Sequence, residues 1–309
     1  MSDIIKIGTR ESELAQWQAK KVQALLLAQG IASELVLIKS EGDIDLSTPL
    51  YEIGVQGIFT KSLDIALLQK RIDIAVHSYK DVPTQMAKGI TIAAVLERDS
   101  YQDILVFKED KKDLIEQLNN TSSIIATSSI RRKAQWLHKY PHHQIENLRG
   151  NVNTRLKKLE ESNWSGAIFA AAGLERIQVR PEKSIDLDWM LPAPAQGTVV
   201  VVCRAEDENI KNDCAAFNHN NTAICTGIER DFLRTLMGGC STPVSALAEV
   251  KDDVLHFKGS IVSVDGKEKV EIEKKADVQN SKHVGKLSAE EILTKGGNKI
   301  IELIRDGNK

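Results

Sequence analysis

Ile4-Ile5-Lys6-Ile7-Gly8-Thr9-Arg10-Glu11-Ser12, continued by Glu13 to Gly30, decides the fold class of this chain. The apolar run Ile4 to Ile7 is strand-sized, and a polar turn follows it. Leu14, Trp17, Val22, Leu25 and Leu26 then recur at helical spacing until Gly30, a C-terminal stop. Strand, turn, helix is the unit of an α/β sheet, and the neighbouring sequence repeats it. Leu35 to Ile38 reads as a strand, Phe59 to Gln69 as a helix, Arg71 to His77 as a strand. Helices then cover the sheet faces, and ligands bind beyond the carboxyl ends of the strands.

Further along, Ile90 to Leu96 and Ile104 to Phe107 are apolar strands separated by the polar stretch Glu97 to Asp103, which reads as a crossing into a second lobe. There the alternation resumes: a strand at Ile124 to Thr127, a helix from Ser129 to Tyr140, a strand at Ile145 to Leu148, a helix from Asn151 to Leu159 and a strand at Ala167 to Ala171. Leu191 to Gly197 reads as the return crossing, and Thr198 to Cys203 as a last strand of the first sheet. Two α/β lobes with two crossings predict a hinged cleft.

From Val244 the period becomes two, with strands expected at Val244 to Val250, Val254 to Val264 and Lys269 to Glu273 and a hairpin turn at Val264-Asp265-Gly266-Lys267. Ser288-Ala289-Glu290-Glu291 has the form of a capping box opening a last helix towards Arg305. The expected domains are 1–98 with 197–217, 99–196, and 218–309, the last of α+β type. No internal repeat is visible.

The chain has 309 residues, of which 42% are hydrophobic and 27% charged, the balance of an ordinary globular protein. Its net charge of −2 hides an asymmetry. Between Thr121 and Arg180 ten Lys/Arg face four Asp/Glu, a local +6, so the rest carries −8. Extended nucleic-acid binding needs broad basic surface, so a small acidic ligand is the better expectation. The four cysteines, at 203, 214, 225 and 240, form no Cys-x-x-Cys, which argues against a zinc knuckle and fits a reducing compartment. Neither a secretory leader nor a membrane span is apparent, and a cytoplasmic location is expected.

Chemistry-bearing residues gather at the predicted strand ends. Thr127-Ser128-Ser129-Ile130-Arg131-Arg132 places two cations in the first turn of a helix, where each opposes the helix dipole at a cost of about 0.3 to 1 kcal/mol. Free backbone N–H groups, hydroxyls and guanidinium forks there suit carboxylate or phosphate. Leu148-Arg149-Gly150-Asn151-Val152-Asn153-Thr154-Arg155 repeats the device, and Arg176, Arg10 and Arg98 also follow strands. Ser78-Tyr79-Lys80-Asp81-Val82-Pro83 ends another strand; either Lys80 and Asp81 face the ligand or the segment is a solvated turn. His77 is more simply a packed or hydrogen-bonded histidine than a base. His138, His142 and His143 could suggest a metal site, but Pro141 interrupts their helical spacing, and histidines at a helix C-terminus already have a reason in the helix dipole.

Leu236-Met237-Gly238-Gly239-Cys240-Ser241-Thr242-Pro243 follows an amphipathic helix capped at Thr222. Two glycines free the backbone for a tight turn at Cys240. That cysteine is either a nucleophile on a reachable loop or a small buried hydrophobe.

Together, Thr9-Arg10 with Ser12, His77 to Pro83, Thr127 to Arg132 with Leu148 to Arg155, and Glu229-Arg230 through Gly238 to Pro243 resemble the porphobilinogen deaminase (hydroxymethylbilane synthase) family, over the whole chain. The resemblance implies two α/β domains like those of periplasmic binding proteins and a third domain bearing a dipyrromethane cofactor, joined by a thioether to Cys240. It implies head-to-tail condensation of four porphobilinogen molecules with loss of ammonia, then hydrolysis to hydroxymethylbilane by a monomer with no metal. It implies that Asp81 is catalytic, stabilising the cation left when ammonia departs. Cofactor contacts are implied for Phe59, Lys80, Asp81, Thr127, Ser128, Ser129, Arg131, Arg132, Arg155 and Arg176. Substrate contacts are implied for Arg10, Ser12, Gln18, Arg98, Arg149, Gly150, Arg155, Arg176 and Gln196. Pyrroles bearing acetate and propionate need such guanidinium partners.

This chain departs from the family pattern at Glu52 and Gln56, usually lysines, at Tyr79, at Asn153, usually Gly, and at Pro194-Ala195, usually Val-Gly. Two other readings are an anion-binding protein with hinged lobes, which gives Gly238-Gly239-Cys240 no purpose, and a thiol-dependent hydrolase using Cys240 and a histidine.

Overall fold

A computed structural model describes residues 4–40, 60–110, 122–236 and 242–306, with Leu114, Glu116, Leu118 and Asn119 between. The described residues up to Asp99 form one compact unit with Gly197–Ala223. Ser100–Gln196 and the residues from Ile224 onward form another.

In the first unit, β1 (Ile5–Thr9), β2 (Ser33–Leu37), β3 (Ile74–Ser78), β4 (Ile90–Val95) and β10 (Val199–Arg204) make one sheet in the order β2-β1-β3-β10-β4. Strands β1, β2 and β3 run parallel, and β10 runs antiparallel to both of its neighbours. All six residues of β10 are buried, which explains its unbroken Val199 to Val202 run. Helix α1 (Glu13–Leu27) buries Ala15, Gln18, Ala19, Val22 and Leu26. The covered face is therefore set one residue away from Leu14, Trp17 and Leu25, because alanines let the helix lie close to the sheet. Helix α2 (Lys61–Leu68) covers another part with Leu63, Ala66 and Leu67.

The second unit holds β5 (Asp103–Phe107), β6 (Ile124–Ala126), β7 (Gln144–Glu146), β8 (Gly166–Ala170) and β9 (Ser184–Asp186), in the order β7-β6-β8-β5-β9. Strand β6 is parallel to β7 and β8, while β5 is antiparallel to β8 and β9. Matching β6, β7, β8, β9 and β5 with β1, β2, β3, β4 and β10 reproduces the first sheet. No sequence repeat announces this repeat of topology. In each sheet the single reversed strand is the one that follows a crossing.

Helix α3 (Ile130–Lys139) follows β6, α4 (Val152–Glu161) follows β7 and a short α5 (Ala171–Glu175) follows β8. Trp136 of α3 is fully buried; its Nε1 donates to His143 Nδ1 at 3.1 Å, and His138 Nδ1 donates to the Gly266 carbonyl at 2.7 Å. Among the described residues no group of His, Cys, Asp and Glu could hold a metal ion.

Helix α6 (Glu208–Ala215), capped by Asp207, leads to α7 (Asn220–Thr235). Beyond it β11 (Val244–Lys251), β12 (Val254–Val262) and β13 (Lys269–Asp277) form a separate antiparallel meander. The core here joins Cys225, Ile228 and Phe232 of α7 to Phe257, Ile261, Ile292 and Ile300.

The C-terminal helix departs from expectation. Helix α8 (Val284–Ile292) begins before Ser288, which is buried inside it, so Ser288 to Glu291 is no capping box. The start is a 3₁₀ turn, Val278–His283, capped by Asp277 donating no bond but accepting one from Gln279 N. Gly296 then breaks the helix at φ 109 before α9 (Asn298–Asp306). Among the described residues no helix is long and apolar enough to cross a membrane.

Candidate active site

Because β1, β3 and β4 point the same way, Arg10, the Tyr79–Asp81 turn and Arg98 fall at one edge of the first sheet. Reversed β10 starts there too. Tyr79 N donates to Thr198 O at 2.9 Å, and Arg98 Nε donates to Thr198 Oγ1 at 3.3 Å. The Tyr79–Asp81 turn is a 3₁₀ helix with Tyr79 buried as its peg, leaving Lys80 and Asp81 half-buried. Gln18, itself buried, donates from Nε2 to Ser78 Oγ at 2.8 Å. Ser12 is the residue before α1, with its side chain not engaged in capping. Burial, aided by the nearby Arg10 charge, lowers the His77 pKa to about 4. His77 is therefore a neutral, packed side chain at neutral pH.

In the second unit the same edge is richer. Ser129 caps α3, accepting from Arg132 N at 3.4 Å; Thr127 Oγ1 accepts from Ser129 N, and Ser128 Oγ donates to Leu148 O at 2.6 Å. Asn151 caps α4 by accepting from Thr154 N at 2.9 Å. Gly150 before it lies at φ 115, and a Cβ there would sit 2.8 Å from Thr154 Cγ2. Arg155 Nε donates back to Gly150 O at 2.7 Å, so the loop and the guanidinium hold one another. Arg149 and Arg176 are buried, as is Gln196.

Asp103, the first residue of reversed β5, was not expected among these groups. It is completely buried, with Arg131 Nη1 2.8 Å from Oδ2 and Arg132 Nη2 2.7 Å from Oδ1. Gln196 Nε2 adds a bond to Oδ1 at 2.9 Å. Arg131 Nη1 also reaches Leu191 O, and Arg132 Nη1 reaches Ile168 O. Burial alone would raise the Asp103 pKa, but the two arginine charges and the bonds from Arg131 and Gln196 outweigh it and hold the carboxyl well below its ordinary range. The anion that answers two cations in a helix's first turn is thus within the protein. Its signal in the sequence was an acid opening an otherwise wholly apolar strand, Asp103-Ile104-Leu105-Val106-Phe107.

The return crossing is fixed by Glu229 of α7, fully buried, which accepts from Ala195 N at 2.6 Å and Ala248 N at 2.7 Å. Ala195 lies at φ 62. Phe59, Glu52, Gln56, Gly238, Gly239 and Cys240 lie outside the described residues.

The donor set of the second unit, hydroxyls and guanidiniums at strand ends, fits a ligand with several carboxylates. A family model for the porphobilinogen deaminase dipyromethane cofactor binding domain matches residues 5–212, and one for the porphobilinogen deaminase C-terminal domain matches residues 223–294. The porphobilinogen deaminase of Desulforamulus reducens is 39% identical over 311 residues, covering 99% of this chain and 100% of that protein. That of Pelobacter propionicus is 37% identical over 302 residues, covering 96% of each. With both of its parts matched and relatives of this similarity along nearly its full length, the chain belongs to the porphobilinogen deaminase family.

Proposed function

We propose that Asp81 is the catalytic group of a transferase whose anion-binding side chains are Thr127, Ser128, Ser129, Arg131, Arg132, Arg149, Arg155 and Arg176. The reaction is that of the family, in which porphobilinogen units are condensed head to tail with release of ammonia and the tetrapyrrole chain is freed as hydroxymethylbilane. The observation that carries the residue assignment is the gathering of hydroxyls and arginines at the strand ends of the second sheet.

The half-buried Asp81 carboxylate would accept hydrogen bonds from pyrrole N–H groups and stabilise the positive charge that grows as the amine leaves. Lys80, Arg10, Arg98, Ser12 and Gln18 would orient the incoming carboxylates, Gln18 by fixing Ser78 at the same strand end. Arg149, Gly150, Arg155, Arg176 and Gln196 would receive the lengthening polyanion. Cys240 would hold the dipyrromethane group by a thioether and Phe59 would contact it, and when bound the group would supply the pyrrole carbon to which new rings are joined. We assign the domains as 1–98 with 197–217, 99–196, and 218–309, and infer a cytoplasmic monomer that binds neither nucleic acid nor membrane. A net charge of −2 and the absence of paired Cys-x-x-Cys spacing support that placement.

Intact mass under denaturing conditions tests the reading. The protein should exceed its chain mass by two condensed pyrrole units, and Cys240→Ser should not. If only chain mass is found, porphobilinogen should restore the excess; no gain would overturn the assignment. Asp81→Glu should retain the excess mass and lose most turnover, and normal turnover would remove Asp81 from the mechanism.

A further inference from the structure

We propose that Asp103 is a positioning residue for the anion-binding arginines, holding Arg131 and Arg132 at the spacing that two carboxylates of one ligand require. The inference rests on the functional reading above. Its basis is the geometry of a single carboxylate that serves two guanidiniums through different oxygens, Oδ2 to Arg131 and Oδ1 to Arg132. Arg132 meets Oδ1 through both Nε, at 3.0 Å, and Nη2, at 2.7 Å, which fixes the plane of its fork as well as its position. Gln196 restrains the same oxygen from the return crossing, and itself bonds Tyr101 O at 2.8 Å.

Two observations separate this from an ion pair that only supports the fold. First, the carboxylate does not exhaust the arginines. Arg131 Nη1 donates to Leu191 O and stands 2.8 Å from Asp103 Oδ2 as an ion pair, so its Nε and Nη2 lie outside these contacts, on a helix turn whose neighbours are Thr127 and Ser128. Second, one negative charge answers two positive ones. The cluster keeps a net single positive charge in a setting where both arginines are more than nine-tenths buried. An isolated pair of buried guanidiniums at adjacent positions would repel and splay. Asp103 lets them stand side by side and still attract an anion. Its place at the start of β5, beside β8, brings this carboxylate to the strand ends where the ligand is read.

The test uses apo-protein prepared without porphobilinogen, followed by intact mass after porphobilinogen is added. Asp103→Glu keeps the charge and shifts the carboxylate by one methylene; Asp103→Asn keeps the shape and removes the charge. Each should keep a cooperative melting transition while needing at least tenfold more porphobilinogen for half-maximal rate of pyrrole mass gain. Asp103→Glu should retain more of the rate at saturation than Asp103→Asn. A role confined to stability predicts a lower melting temperature with unchanged concentration dependence well below it, and that result would overturn the proposal. Failure of both variants to fold would likewise assign Asp103 to stability alone. Failure of the unaltered apo-protein to gain mass would remove the functional reading itself, an outcome distinct from normal uptake by the variants.

Discussion

Ala195 carries the strain of the return crossing. Its φ of 62 suits glycine, and an alanine in this region costs about 1 to 2 kcal/mol. Ala195→Gly should stabilise the protein by up to about 1 kcal/mol, because the added freedom of the unfolded chain offsets part of the relief. Urea midpoints would show it, and a lower midpoint would mean that the strain is absent. Glu229 makes the opposite case. Glu229→Gln would set an amide N–H₂ against one of the two backbone donors, Ala195 N or Ala248 N, and should cost about 2 to 4 kcal/mol in the same measurement. At residue scale, the basic side chains were legible from sequence because cations at strand ends stand out. Asp103 was not, because a lone acid before an apolar strand acquires meaning only when the strand's direction is known.

His77 gives a pH dependence with a definite sign. Its folded pKa of about 4 lies below the unfolded value near 6.5, so between those limits the unfolded chain binds more protons. Stability should fall as pH drops from about 6.5 towards 4, by roughly 3 kcal/mol at the lower end, and should be free of this penalty above 6.5. Denaturation of the protein and of His77→Gln at pH 7.5 and 5 checks it: the loss on acidification should be smaller in the variant.

At the scale of elements, helix contacts are set by small residues. A Cβ on Gly285 of α8 would lie 2.0 Å from Ile228 O of α7. Gly285→Ala should therefore force the two helices apart and cost about 1 to 3 kcal/mol, read from the thermal midpoint. The period of apolar residues was enough to place most strands and helices. It failed where small residues do the packing, as on α1, whose buried face follows Ala15 and Ala19 and not Trp17. It also failed at Ser288, since a capping pattern within a continuing helix is a coincidence that only tertiary burial exposes. The short β9 and α5 were not read from the sequence, α5 because it runs on from β8 without an intervening turn.

For the whole molecule, thiol chemistry separates one cysteine from the rest. Cys203, Cys214 and Cys225 are buried, and burial pushes the Cys203 and Cys214 thiols up to about 11 and about 12. None of the three should react with a disulfide reagent at pH 8 while the protein is folded. After denaturation, three thiols should be counted in cofactor-loaded protein and four in apo-protein; four in both would contradict the thioether at Cys240. The alternation of strands and helices made both α/β sheets legible in the sequence. That they share one topology was not, since topology is preserved by strand order and direction while side chains diverge.

The reversed strand β10 lies between β3 and β4, yet enters the chain more than a hundred residues after β4 begins. A ribosome making about 5 to 20 residues per second would hold the first sheet incomplete for something like 5 to 20 seconds, with the open edges of β3 and β4 waiting for their shared partner. Synthesis from the N-terminus thus finishes the second sheet's strands before the first sheet can close. The nascent chain completes its halves in the reverse of the order in which it begins them.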